Sequence, residues 1–298
     1  MSFLFALVAA LANATSEIAQ HIASTSDTHG AKGWQFVRAL ASNPLWLFGW
    51  VALIGAFVFQ ALALHSGLLS LVQTLLMTEL VFALVLRRLW IGQAIQPVAW
   101  ASAALTCAAV SVFVIVAEPQ GGSTTATPSA WLSSMAACGG AALILALVAS
   151  RGSPTRRAAL YATASGLIWA LEATFIKAMT DTLTEHGIGG TFTRWPVYAV
   201  VVGGIVGTLL QQATLHVGPL RVSQPLLVIV DPMVSIGLSV HLFGEHFTED
   251  PTKLALAALS FAGLCMGIVL LTTTVPDTMD RVPTTGDPTA PRPQPDAS

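Results

Sequence analysis

The sequence predicts an all-α polytopic membrane protein, with about nine transmembrane helices in two inverted four-helix repeats plus a linking helix. Three observations predict it. The first is composition: 54% of the residues are hydrophobic, 9% are charged, and the mean hydropathy is +0.72. A water-soluble domain carries about 25% charged residues, so this chain lacks the charge to cover a water-facing surface. The second is run length. A helix needs about 20 apolar residues to cross the hydrocarbon, and the runs near 2–22, 44–65, 68–88, 97–117, 129–150, 157–180, 195–217, 219–243 and 252–274 qualify. The third is an internal repeat. FQALALHSGLLSLVQTLL at 59–76 returns as LQQATLHVGPLRVSQPLL at 210–227, with Gln60 on Gln211, His65 on His216, Gly67 on Gly218 and Gln73 on Gln224. A transmembrane β-barrel would need ten-residue segments of alternating hydropathy, and the sequence has none.

The first run resembles a signal peptide at Ala12-Asn13-Ala14, but no Lys or Arg precedes it, and signal peptides need a basic start. It also echoes the sixth run, Ala14-Thr15 with Ala19 matching Ala173-Thr174 with Ala178. It is read as a retained helix. Runs one to four form the first repeat (1–122), run five the linking helix (123–156), and runs six to nine the second repeat (157–274). The Pro- and Thr-rich tail at 275–298 has no apolar period and is expected to be disordered. GWQFVRALA at 33–41 is read either as a short interfacial helix or as a plain loop.

Charge bias orients the chain. Loops on one side collect Lys32, Arg38, Arg87, Arg88, Arg151, Arg156, Arg157, Arg221, Arg281 and Arg292; the other side has Arg194 and Lys253. Basic loops stay in the cytoplasm. The N-terminus is therefore expected outside and the C-terminus inside, in the cytoplasmic membrane. The outer loops carry Glu118, Asp181, Glu185, Glu245, Glu249 and Asp250, read as solvated acids or as a weak attractor of cations. A four-helix unit followed by one more crossing inverts the second unit. Inverted repeats are typical of secondary transporters, whose sites lie between the repeats at mid-membrane.

Charges at bilayer depth are costly and rare, and they mark pathways and sites. Glu17, Glu79, Glu172, Lys177 and Asp231 fall inside runs. Asn13 shares a helix face with Glu17 and aligns with Glu172 in the repeat. Glu79 and Asp231 follow Gln73 and Gln224 at nearly equivalent positions. Asn13, Glu17, Gln73, Glu79, Glu172, Lys177, Gln224 and Asp231 are therefore the candidates for a substrate or coupling-ion site. A structural pair of Glu172 or Glu79 with Lys177 is the competing reading. A carboxylate there can exchange its proton for a substrate cation, coupling two fluxes. Pro225 and Pro232 each remove a helical hydrogen bond, so run eight is expected to be broken and cavity-lining. Gln60, Gln211 and Gln212 are read as interhelical hydrogen-bonding groups or substrate contacts. Gly263 and Gly267 suit close packing, and His65 and His216 suit interfacial anchoring. Cys107, Cys138 and Cys265 are expected to be small buried residues.

Together these residues carry a resemblance. NPLWLFGWVALIGAFVFQALALHSGLLSLVQTLLMTELVFALVL (43–86), ATFIKAMTD (173–181), SQPLLVIVDPMVS (223–235) and Phe243-Gly244-Glu245 resemble the drug/metabolite transporter superfamily. Both its bacterial EamA-type members and the NIPA-type magnesium transporters are similar. The resemblance covers the chain to about Thr274. It implies an inverted-repeat α-helical fold and transport of a small solute. Typical members have ten helices, and on this resemblance the chain is expected to lack a counterpart of the first. The first-half counterpart of the Phe-Gly-Glu turn, Arg88-Leu89-Trp90, lacks the acid.

The expected function is therefore a secondary transporter, moving a metabolite or drug-like molecule by alternating access, with proton coupling open. The alternatives are a magnesium-like divalent-cation transporter and a non-transporting membrane scaffold. No HExxH, GxSxG or Cys/His pair at catalytic spacing occurs, so no enzyme and no cofactor are expected, and a metal site is left undetermined. The expected partners are the solute or ion and the lipid bilayer, with a homodimer left open; no basic cluster points to nucleic acid.

Overall fold

The computed structural model describes residues 1–26, 42–92, 94–122, 126–217 and 220–274. The 33–41 segment, Lys32, Arg38, Gly218 and the 275–298 tail lie outside them. Among the described residues nine helices are long and apolar enough to cross a membrane. The protein is an all-α, multi-pass membrane protein. The helices are α1 (Ser2–Ser26), α2 (Pro44–Ser66), α3 (Leu69–Ile91), α4 (Pro97–Ala117) and α5 (Pro128–Val148). They continue as α6 (Pro154–Thr191), α7 (Trp195–Val217), α8 (Leu220–Phe243) and α9 (Pro251–Thr274).

Local chemistry sets where these helices start. Proline occupies the first turn of α2, α4, α5 and α6, where its missing N–H would have no helical partner in any case. Asn43 caps α2 by accepting from the N–H groups of Leu45 and Trp46. Thr127 and Ser153 cap α5 and α6 in the same way, each supplying an acceptor for an otherwise unpaired first-turn donor.

The two halves repeat one set of neighbours. α1 packs mainly on α2 as α6 packs on α7, α1 also packs along α3 as α6 does along α8, and α4 lies on α9. The halves are also inverted. α1 runs against α2, since Phe5 meets Phe59 and Gln20 lies by Gly49. α6 runs with α2, since Lys177 in its second half bonds to the carbonyls of Leu64 and Gly67 at the end of α2. Membrane helices gain little from excluding water and associate through close packing. Accordingly Ala6, Ala9, Ala10, Ala14, Ala19 and Ala23 make a fully buried stripe on α1. Gly49, Gly166 and Gly267 sit where α1–α2, α6–α8 and α4–α9 cross; a Cβ on Gly267 would lie 2.5 Å from Thr106 Oγ1. Large apolar side chains such as Val51, Ile115, Leu143, Ile205 and Leu259 point outward, as a lipid-facing surface requires.

At one end, α4 and α9 are joined further. Strand β1 (Gln120–Gly121) pairs antiparallel with β2 (Glu245–His246). Thr248 N–H donates to Ala117 O at 3.1 Å, and Lys253 Nζ lies 2.7 Å from Glu118 Oε1. We call this the acidic end. The opposite end, with Arg87, Arg88, Arg151, Arg156 and Arg157, is the basic end.

The structure corrects several expectations. α6 does not stop near residue 180; it continues to Thr191, kinking at Gly187, whose φ of 68° suits a residue without a side chain. α8 is not broken: it stays helical across Pro225 and Pro232, both buried, with packing against α6 and α3 holding its course. A mid-helix break is found instead in α3. This helix consists of Leu69–Leu76 and Glu79–Leu86, joined by a tightened turn in which Thr78 N–H and Oγ1 both bond Leu75 O, and it ends in a wide turn at Arg87–Ile91. Of the three free cysteines only Cys138 is buried; Cys107 is exposed on the outer face.

Candidate functional site

The break in α3 places Glu79 in the first turn of its second piece. The carboxylate faces α1, where Asn13 Nδ2 donates to Glu79 Oε2 at 2.8 Å. Around this pair lies a cavity of about 750 Å³. It reaches from Gln73 and Glu172 in mid-bundle to Gln20, Arg87, Gln212 and Thr272 near the basic-end termini of α1, α3, α7 and α9. Glu17 and Gln212 on its wall are exposed, so the cavity is open toward the basic end.

Seven of the eight candidate residues line this one space: Asn13, Glu17, Gln73, Glu79, Glu172, Gln224 and Asp231. So do Gln60, Gln211, Gln212 and Pro232. Arg87, which the sequence placed only among the basic loop residues, and Trp169, which it had not singled out, also line it. Trp169 stands one turn before Glu172, its ring held against α7 at Gly207, where a Cβ would come within 3.0 Å. Gly204 likewise leaves room for Glu172, since a Cβ there would sit 3.2 Å from Oε1. Ser235 donates to Asp231 Oδ1 at 3.0 Å. Glu172 Oε2 and Gln73 Nε2 are buried with no hydrogen-bond partner among the described residues. Buried polar atoms are rarely left so, and here they form the wall of the cavity. No three His, Cys, Asp or Glu among the described residues stand close enough to share a metal ion.

Lys177, the eighth candidate, is elsewhere, and the expected pairing with Glu172 or Glu79 does not occur. It is 7% exposed and belongs to a closure at the acidic end. Its ammonium donates to Leu64 O at 2.8 Å and Gly67 O at 3.0 Å, and sits 5.5 Å from the Phe243 ring centroid. It thereby satisfies the last carbonyls of α2, where a positive charge is favoured. Glu245, expected as a solvated loop acid, is 1% exposed. It accepts from Leu69 N (2.6 Å), Ser70 N (3.2 Å) and Ser70 Oγ (2.6 Å), capping α3 with a charge. Asp181, also expected in a loop, is buried on α6 and meets His65 Nδ1 at 3.3 Å. His65 is therefore tied to a buried acid rather than acting as a simple interfacial anchor. Trp131, Phe175, Trp195 and Phe243 pack edge-on and stacked beside Lys177, with centroids 4.9 to 6.1 Å apart. The Phe-Gly-Glu turn was visible in the sequence, but its partner 175 residues away was not.

The chain is similar to an uncharacterized protein of Corynebacterium glutamicum, 27% identical over 276 residues, covering 91% of each chain. No family model and no solved structure matches it.

Proposed function

We propose that this protein is a secondary transporter of a small solute in the cytoplasmic membrane, working by alternating access, as its resemblance to the drug/metabolite transporter superfamily implies. One observation carries the reading. A polar cavity between two inverted repeats is open at one end and closed at the other by buried charges. A scaffold has no use for four carboxylates lining an open intramembrane cavity, at the cost such groups carry. Inverted repeats let each half adopt the other's conformation, which moves the opening to the opposite end. With the basic end in the cytoplasm, this reading makes the open end of the cavity the inward-facing one.

The reading predicts two-sided access. Take a variant whose three native cysteines are replaced and Gln73 is changed to cysteine. In proteoliposomes it should react with a membrane-impermeant maleimide added from either side, because the position is exposed alternately. Reaction from one side only would show a static pocket. A cysteine at Arg194 should react only from outside and one at Arg156 only from inside; the reverse would turn the orientation over.

Proton coupling is assigned to Asp231. It lines the cavity beside Pro232, which cannot donate to the carbonyl of Val228. Asp231→Asn keeps the shape and removes the exchangeable proton. It should still equilibrate solute across the membrane but lose proton-driven accumulation, the concentration ratio falling toward one. Undiminished accumulation would move the role to Glu79 or Glu172.

A further inference from the structure

Resting on the transporter reading, we propose that the bundle carries a one-sided latch. Lys177, Asp181 and Glu245 lock the acidic end, their counterparts at the basic end carry no charge, and the solute-free protein waits with its cavity open to the basic end. The ground is what holds a single turn. The segment joining α2 to α3, from Leu64 to Ser70, is gripped by three ionisable side chains of the second repeat. Lys177 on α6 donates to Leu64 O at 2.8 Å and to Gly67 O at 3.0 Å. One turn further along α6, Asp181 meets His65 Nδ1 at 3.3 Å. Glu245, just past α8, accepts from Leu69 N, Ser70 N and Ser70 Oγ. All three are buried. Each bond runs from one repeat to the other, so opening the acidic end along this seam breaks them together.

The inverted repeats supply the comparison. In an alternating carrier the basic end closes by the same contacts with the repeats exchanged. The α7–α8 turn, from Leu215 to Arg221, then takes the place of Leu64 to Ser70, in the register that sets Gln60 on Gln211. On α1, the register that sets Ala14 on Ala173 puts Ile18 at Lys177 and Ile22 at Asp181. Packing keeps that register. Ser16 O faces Gly49 on α2, and its counterpart Phe175 faces Gly203 on α7, one turn from the counterpart of Gly49. α3 and α8 each end in a glycine of positive φ, Gly92 at 68° and Gly244 at 65°. The next residue is Gln93 in the first half and Glu245 in the second; Gln93 itself lies outside the described residues. The counterpart of the Phe-Gly-Glu turn is thus Ile91-Gly92-Gln93, not Arg88-Leu89-Trp90. Charge-assisted hydrogen bonds are about twice as strong as neutral ones, and an isoleucine side chain makes none. The acidic end is therefore the tighter seal. The empty protein meets its solute from the basic side, and binding must supply the difference that opens the latch.

The test measures a distance across the basic mouth in the full chain, purified without solute and placed in lipid nanodiscs. Spin labels are attached at Gln20→Cys on α1 and Gln212→Cys on α7, with the native cysteines replaced. Double electron–electron resonance should show one dominant long distance, that of the open mouth. Lys177→Ile, which installs the counterpart residue, should raise a short-distance population at least ~10-fold relative to the long one. Gln93→Glu, which offers the basic end an acid, should move the populations the same way, while Glu249→Gln on the acidic-end surface leaves them unchanged. A dominant short distance in the solute-free protein would overturn the proposal. So would an unmoved distribution in Lys177→Ile, or in Gln93→Glu should Lys177→Ile not fold. The maleimide experiment on Gln73→Cys keeps the two readings apart. Two-sided labelling with unmoved distances would sink the latch and leave transport standing; one-sided labelling would sink transport and the latch with it.

Discussion

Glu245→Ala should lower stability by about 3 kcal/mol or more. It leaves the buried N–H groups of Leu69 and Ser70 without their acceptor, and each buried polar group so stranded costs about 1–3 kcal/mol. It also takes a negative charge away from the neighbourhood of Lys177, which is itself buried. Thermal unfolding in detergent should show a clear drop in midpoint. Glu245→Gln, which retains one acceptor oxygen, should fall between alanine and wild type. Because the side chain closes the acidic end, Glu245→Ala should also raise labelling of a cysteine at Gln73 from that side. A variant with unchanged midpoint and unchanged labelling would mean that Glu245 is incidental to the closure.

The second large effect is expected at Gly166. A Cβ there would stand 2.7 Å from Val230 Cβ, 2.8 Å from Val230 Cγ1 and 3.3 Å from the backbone nitrogen of Asp231. The backbone fixes the Val230 Cβ, so no rotamer moves it away, and β-branching leaves Cγ1 little freedom to turn aside. Overpacking of this kind costs about 1–3 kcal/mol. It also pushes α8 off α6 at Asp231, on one wall of the cavity. On the transporter reading, Gly166→Ala should therefore abolish solute movement even where the fold survives. Gly55→Ala on α2, with nothing within 4 Å of the added methyl, is the matched control and should be neutral. Full activity in Gly166→Ala would show that the α6–α8 spacing does not matter to the site.

The sequence revealed most readily what depends on local or periodic signals. Run length and first-turn prolines at Pro44, Pro97, Pro128 and Pro154 mark the helices, because an apolar span and a missing N–H act without reference to the rest of the fold. The rarity of intramembrane acids brought Glu17, Glu79, Glu172 and Asp231 forward, and all four line one cavity. What failed depends on tertiary partners. Prolines at 225 and 232 suggested a break, yet packing keeps α8 helical. Met77-Thr78 carries no breaker at all, yet α3 divides there. Lys177 is drawn to Leu64 O and Gly67 O on α2, carbonyls that no side-chain pattern reveals. Glu245 follows an ordinary glycine turn, and only the approach of the α3 N-terminus makes it structural.

The junction of α4 and α9 constrains how the molecule can rearrange. These helices belong to different repeats, yet they are held along their length by the Gly267–Thr106 crossing. At their tips they are held by the β1–β2 bridge and the Glu118–Lys253 pair. On the transporter reading, the repeats then do not part as two separate shells: each contributes one helix to a common spine, and the remaining three helices of each swing about it. The acid-bearing helices α1, α3, α6 and α8 are all among the swinging members of that scheme, which changes the spacing of the carboxylates while the helix pair bearing none of them stays still.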